Sequence, residues 1–211
     1  MTAIHVAKVH VPVTALGPGR RVGIWLQGCS IGCRECVSQD TWPSSIGETS
    51  VAALLSGVTA ALRADATLTG VTISGGEPLE QAVAMAELLA GLRAAGNTEL
   101  DVLLYTGFAW RRALRDHAEV LSNVDAVIPE PFVAALAPGQ VWRGSSNQPL
   151  MLLTELAVRR YRDIPARRPF QVVVEDGRLY TIGVPAPGDL DRALARARTK
   201  GLAVAEVSWR S

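Results

Sequence analysis

Four short β-prone runs constrain this 211-residue chain more than any other feature: "RVGIWLQ" (21–27), "LTGVTI" (68–73), "DVLLY" (101–105) and "VDAVI" (124–128). They are largely continuous in apolar residues instead of alternating, the mark of strands covered on both faces. Between them lie amphipathic stretches. "ETSVAALLSGVTAALRAD" sets Val51, Leu54, Leu55, Val58 and Leu62 on one helical face, with Thr49 or Ser50 as its cap. A second stretch does the same with Met85, Leu88, Leu89 and Leu92 before the stop signal Gly96-Asn97, and a third with Trp110, Ala113, Leu114 and Leu121. Alternating β and α with buried-type strands calls for an α/β fold: a parallel sheet covered by helices, open or forming part of a β/α barrel. The N-terminal "MTAIHVAKVHVPV" alternates like a further strand and lacks the apolar centre of a signal peptide.

Each strand is followed at its C-terminal end by a distinctive stretch: "GCSIGCREC", "SGGEP", "YTGF" and "IPEPF". That edge is where β/α folds bind ligands, so the four are expected on one rim. Singly they are ordinary. Two glycines after a strand usually make a tight turn, and "YTGF" reads as a turn as well. As a ligand site, Gly75 and Gly76 let backbone approach a bound molecule, and the Glu77 carboxylate is suited to accept from an ammonium group.

"GCSIGCREC" holds every cysteine of the chain, Cys29, Cys33 and Cys36, in a C-x3-C-x2-C pattern. Structural zinc wants four protein ligands, and His5, His10 and His117 are not spaced as a local ligand motif. An electron-transfer ferredoxin also wants a fourth thiolate. Three thiolates on a 4Fe–4S cluster leave one iron open, which is a catalytic arrangement. Spacing alone leaves an open-site cluster, a zinc site and redox-active thiols standing.

Composition limits the classes. Hydrophobic content of 48% and charged content of 19% are those of a globular chain with a core. A net charge of +1 argues against a general nucleic-acid or membrane-surface binder, and no apolar run approaches the ~20 residues that span a bilayer. Three clustered thiols suit a reducing, cytoplasmic setting. The arginine groups at 111, 112 and 115, at 159, 160 and 162, and at 167 and 168 read as solvated faces, and the histidines as packed or surface side chains.

C-x3-C-x2-C followed by a strand-end Gly-Gly-Glu-Pro resembles the radical S-adenosylmethionine (SAM) superfamily. "GPGRRVGIWLQGC" running into "CREC", then "DTW" (40–42), "SGGEPLEQ", "YTGF" and "WRGSSNQ" (142–148) is similar in particular to the small activating enzymes of anaerobic (class III) ribonucleotide reductase, and less fully to pyruvate formate-lyase activating enzymes. The likeness spans residues 10–160. It implies a partial β/α barrel of the radical SAM type. It implies that Cys29, Cys33 and Cys36 hold a 4Fe–4S cluster whose fourth iron is chelated by SAM. It places Gly75, Gly76, Glu77 and Pro78 at the SAM amino end, and Glu35, Val37, Thr106 and Gly107 near its nucleoside. No catalytic side chain is implied beyond cluster and SAM. The implied partners are a flavodoxin- or ferredoxin-type electron donor and a large glycyl-radical enzyme, with neither nucleic acid nor membrane.

Two departures stand out. Glu35 occupies the place before the third cysteine where the superfamily often has an aromatic, and "IPEPF" replaces an Asp-Gly-Pro-Phe-like turn, putting Glu130 on the rim. Glu130, Arg143, Ser145, Asn147 and Gln148 are candidate substrate or loop residues. We divide the chain into a core of residues 1–166 and a small α+β extension of 167–211. There "FQVVVEDGRLYTIG" reads as a hairpin turning at Asp176-Gly177, "GDLDRALARARTKG" as a helix and "LAVAEVSW" as a strand. The functional expectation is an activase for a glycyl-radical enzyme. The alternatives are a stand-alone radical SAM enzyme acting on a small molecule or peptide, and a non-enzymatic metal-binding module.

Overall fold

A computed structural model describes residues 1–175, 178–186 and 188–201. The apolar runs form the middle of one mixed sheet. Its strands are β1 (Ala3–Val13), β2 (Arg20–Leu26), β3 (Glu48–Ser50), β4 (Leu68–Gly75), β5 (Asp101–Tyr105), β6 (Ala126–Ile128) and β7 (Met151–Leu152), in the order β3-β1-β2-β4-β5-β6-β7. The central four, β2, β4, β5 and β6, are parallel, as their continuous apolar character requires. β1 and β7 flank them antiparallel, and β3 pairs antiparallel with β1. The expected α/β architecture is present, with the sheet running from edge to edge among the described residues.

Helices cover the sheet where periodicity placed them. α1 (Val51–Ala64) starts at Ser50, whose hydroxyl accepts from Ala53 N at 3.1 Å, and it buries Val51, Leu54 and Val58. α2 (Ala82–Ala94) buries Met85, Leu88, Leu89 and Leu92, and left-handed Gly96 (φ 80°) follows its end. These side chains and those of β2, β4 and β5 form one core.

The third helix departs from expectation. It breaks into α3 (Trp110–Asp116) and α4 (Ala118–Leu121) at His117, whose ring lies 5.5 Å from that of Phe108. The break rotates the face, so Leu114 stands 46% exposed while Val120 and Leu121 are buried.

At the N-terminal edge of the parallel strands, Arg21 lies wholly inside the protein. Its guanidinium donates to both Asp101 carboxylate oxygens (3.0 and 2.8 Å), to Thr72 Oγ1 (2.6 Å) and to the Val71 carbonyl (2.8 Å). Tyr161 Oη adds a bond to Asp101 at 3.0 Å. Gly70 makes room: a Cβ there would stand 2.3 Å from Arg21 Nη1.

After α5 (Glu155–Arg160) the chain builds an antiparallel hairpin of β8 (Phe170–Glu175) and β9 (Arg178–Gly183), then α6 (Asp189–Thr199), as expected. The hairpin's turning residues and the final "LAVAEVSW" lie outside the described residues. Ile182 packs with Val13, Ala15 and Leu16, and the Gln171 side chain bridges to β1, donating to the Pro12 carbonyl and accepting from Thr14 N. Arg168, read as solvated, is not: its guanidinium donates to the carbonyls of Gly139, Arg143 and Val184, so it holds the hairpin against the 139–143 loop. None of the described helices is long and apolar enough to cross a membrane.

Candidate active site

The cysteine loop leaves the end of β2 and is tied at its neck. Gly28 N donates to the Thr41 carbonyl (2.8 Å) and Cys29 N to that of Trp42 (3.1 Å). The Gln27 amide reaches the carbonyls of Asp40 and Pro43. Within the loop, the residue before each cysteine is left-handed: Gly28 (φ 100°), Gly32 (φ 59°) and Glu35 (φ 62°). Each such residue reverses the chain just ahead of a thiol. Two of the three are glycine, for which that conformation carries no steric cost; Glu35 bears the cost of a Cβ there.

Thiol surroundings fit ligation. The backbone N–H groups of Ile31 and Gly32 face the Cys29 sulfur, and Ser38 N donates to Cys36 Sγ at 3.4 Å, with the Trp42 side chain also bonded to it. Burial pushes both thiols up, against those hydrogen bonds. All three cysteines are free and partly exposed. Among the described residues no three His, Cys, Asp or Glu side chains gather closely enough to hold a single metal ion. Cys29, Cys33 and Cys36 all line one cavity.

"SGGEP" makes the adjoining wall. Gly76 N bonds the Leu26 carbonyl and Glu77 N that of Gly28, both at 2.8 Å, so the end of β4 is stitched to the root of the cysteine loop. The approach is close enough that a Cβ on Gly76 would lie 2.1 Å from the Gly28 oxygen. The Glu77 carboxylate, 1% exposed, turns inward: it accepts from Leu79 N (2.9 Å), Thr106 Oγ1 (2.7 Å) and Gly107 N (2.7 Å). Burial outweighs these bonds and raises its pKa to about 7. Its acceptor sites are therefore largely spent on joining the end of β4 to that of β5. The rest of the motif also braces: Glu80 holds the backbone and hydroxyl of Ser30 inside the cysteine loop, and the Gln81 side chain bonds the His5 backbone and the Gln27 carbonyl. Sequence reasoning passed over both residues; their signal was their place directly after a strand-end glycine pair.

These pieces front one cavity of about 970 Å³. Cys29, Cys33, Cys36, Glu35, Val37, Gly75, Gly76, Glu77, Thr106 and Gly107 all line it, so the rim expected from the strand ends is formed; Pro78 is buried behind it. Ile31 of the cysteine loop packs onto Gly107, where a Cβ would meet its Cδ1 at 2.5 Å. From the later motifs Glu130, Phe132, Gly144 and Gln148 contribute. Arg143, Ser145 and Asn147 are not among the lining residues. Ser145 is fully buried with its hydroxyl accepting from Val133 N, and Asn147 donates to the Pro131 carbonyl, so "WRGSSNQ" chiefly supports the 130–133 turn. Glu130, itself left-handed (φ 80°), accepts from Trp110 N at 2.9 Å and so caps α3, the role its sequence context did not reveal. Tyr105 of "YTGF" and a run of residues from the C-terminal extension also line the cavity, as do Lys8 and Trp25, which no rim motif contains.

A family model described as a 4Fe-4S single cluster domain matches residues 15–151. The chain belongs to this family. It is 30% identical over 136 residues to the anaerobic ribonucleoside-triphosphate reductase-activating protein of Vibrio cholerae, covering 63% of this chain and 87% of that one. It is 35% identical over 99 residues to the pyruvate formate-lyase-activating enzyme of Listeria monocytogenes, covering 46% and 40%. Among solved structures, QueE from Escherichia coli overlaps 64% of this chain and 74% of its own at 15% identity, with a TM-score of 0.45. The protein is a radical SAM enzyme, and its cofactors are a 4Fe–4S cluster and SAM.

Proposed function

We propose that this protein activates a glycyl-radical enzyme of the anaerobic ribonucleotide reductase kind, in the cytoplasm, drawing its electron from a flavodoxin- or ferredoxin-type donor. One observation carries the reading: the three thiols, the Gly75-Gly76 turn and the Thr106-Gly107 turn line a single cavity in a chain whose relatives are named as such activators. A 4Fe–4S cluster with SAM supplies one-electron cleavage of a carbon–sulfur bond and a carbon radical that takes hydrogen from the target.

The chain's own residues bind, orient and shield. Cys29, Cys33 and Cys36 would hold the cluster, and with three protein thiolates it would keep a position for SAM. Gly75 and Gly76 bring bare main chain to the SAM amino end, while Glu77 fixes that turn from behind through Thr106 and Gly107. The backbone at 35–37 and the Thr106-Gly107 turn border the nucleoside. Ile31, Phe132 and the C-terminal residues keep water from the reacting centre.

The test is anaerobic. Reconstituted protein with dithionite and SAM yields 5′-deoxyadenosine and methionine, and adding the candidate reductase yields a glycyl-radical doublet by electron paramagnetic resonance. SAM cleavage without that doublet favours the second reading, a stand-alone enzyme, for which the walling of the cavity by the C-terminal segment speaks. Bound zinc and no cleavage would refute both.

A further inference from the structure

A second hollow, of about 580 Å³, adjoins the cysteine loop. Val37, Gln39, Trp42 and Leu190 line it together with Cys36. Glu35, Cys36, Val37 and Leu190 also line the main cavity, so one short course of chain, 35–37, divides the two spaces and the third cysteine belongs to both. Cys29 and Cys33 line the cavity and not the hollow. The lining of the hollow is apolar and aromatic where it meets the thiol. Val37 is exposed, and the Trp42 side chain, half-buried, bonds the Cys36 sulfur; an indole has only its N–H to donate. Main chain fixes that indole in place: Trp42 N donates to the Gln39 carbonyl, and the Trp42 carbonyl accepts from Cys29 N. Arg34 and Glu35, 3.6 Å apart, supply the polar part of the lining.

We infer that this hollow is the docking site of the one-electron donor, a small flavoprotein that seats the apolar edge of its flavin against Trp42, Val37 and Leu190 and delivers the electron by way of the Cys36 sulfur. The inference rests on the activase reading, which requires such a donor, and names where it binds. Each SAM cleavage consumes one electron while SAM and the target occupy the cavity, so a carrier cannot share that space. The hollow offers the third cluster ligand a second face, with an indole that ends on its sulfur; hydrogen bonds and exposure at ligand sulfurs also tune a cluster's potential. A concave apolar lining suits a protruding apolar ring edge better than a carrier whose own cluster lies beneath a loop. In the transfer the flavin is oxidised by one electron and the 4Fe–4S cluster reduced by one, and no bond forms or breaks.

The test uses reconstituted holoenzyme with SAM and a purified flavodoxin reduced to its hydroquinone. Adding the flavodoxin is expected to slow amide exchange at residues 34–42 and 189–192 and to bleach the visible absorption of the cluster. Gln39→Trp fills the hollow from a residue that does not line the cavity. It is expected to slow bleaching by flavodoxin at least tenfold and bleaching by dithionite less than twofold. Arg34→Glu, on another side chain that lines the hollow alone, is expected to slow the flavodoxin reaction at least threefold and serves if the first variant loads iron poorly. Undiminished reduction of both variants by flavodoxin, equal slowing with dithionite, protection confined to other residues, or reduction by a ferredoxin and not by flavodoxin overturns the inference. Dithionite-driven SAM cleavage and glycyl-radical formation, measured on the same preparation, report separately on the activase reading, which survives any of those results.

Discussion

Glu77, at the end of β4, takes a 2.7 Å hydrogen bond from Thr106 Oγ1, beyond the end of β5, and its other oxygen takes one of equal length from Gly107 N. The pair joins two rim motifs through a buried carboxylate. With a folded pKa of about 7 against an ordinary 4.5, the native state binds this proton more tightly than the unfolded chain does. Stability therefore falls as pH rises from about 4.5 to 7, on the order of 3 kcal/mol, and levels off above. Urea melts of apoprotein at pH 5 and 7.5 give the difference, which disappears in Glu77→Gln. Glu77→Ala frees the Thr106-Gly107 turn; iron content is expected to hold while the SAM Kd rises at least about tenfold, or 1.4 kcal/mol, by titration.

Cys33→Ala removes one of three thiols and is expected to abolish stable cluster loading and SAM cleavage together. Iron analysis and visible absorption after reconstitution check this. The apoprotein should melt within about 0.5 kcal/mol of the parent, because Cys33 is not part of the core. SAM cleavage surviving in this variant would remove Cys33 from the site.

Gly76→Ala and Gly32→Ala separate close approach from backbone conformation. The first drives a Cβ to 2.1 Å from the Gly28 carbonyl oxygen, and backbone must move; the second meets no atom within 4 Å and carries only the left-handed cost. Losses of about 2–3 and about 1 kcal/mol are expected in denaturant melts. Equal losses would show that the strand end can yield.

Asp101→Ala leaves the Arg21 guanidinium buried without its bidentate partner. A cost of about 3–5 kcal/mol is expected in chemical denaturation. Replacing Arg21 and Asp101 together with apolar residues of similar volume should recover much of it.

Much of this was legible because it is local. Apolar runs such as "DVLLY" announce parallel strands, and the rim follows from where they end. What escaped depends on partners far along the chain. Arg21 reads as the flank of a strand, yet it is buried because Asp101, eighty positions on, meets it. Glu130 reads as a rim carboxylate, yet Trp110 N claims it. The third helix kept its apolar period in sequence, but His117 interrupts it, its ring tilted against that of Phe108. Likewise "WRGSSNQ" offers candidate substrate or loop residues in sequence, yet Ser145 and Asn147 are taken up by bonds to the 130–133 turn that cross from one loop to another.

The tied neck of the cysteine loop has a consequence for how the enzyme ages. In small zinc modules the metal supplies the folding energy, and losing it unravels the chain. Here the Gly28–Thr41 and Cys29–Trp42 main-chain hydrogen bonds close the ring, Glu80 braces it at Ser30, and none of these bonds uses a thiol. Loss of a cluster to oxygen is then expected to leave the frame folded, and circular dichroism of air-exposed protein checks this.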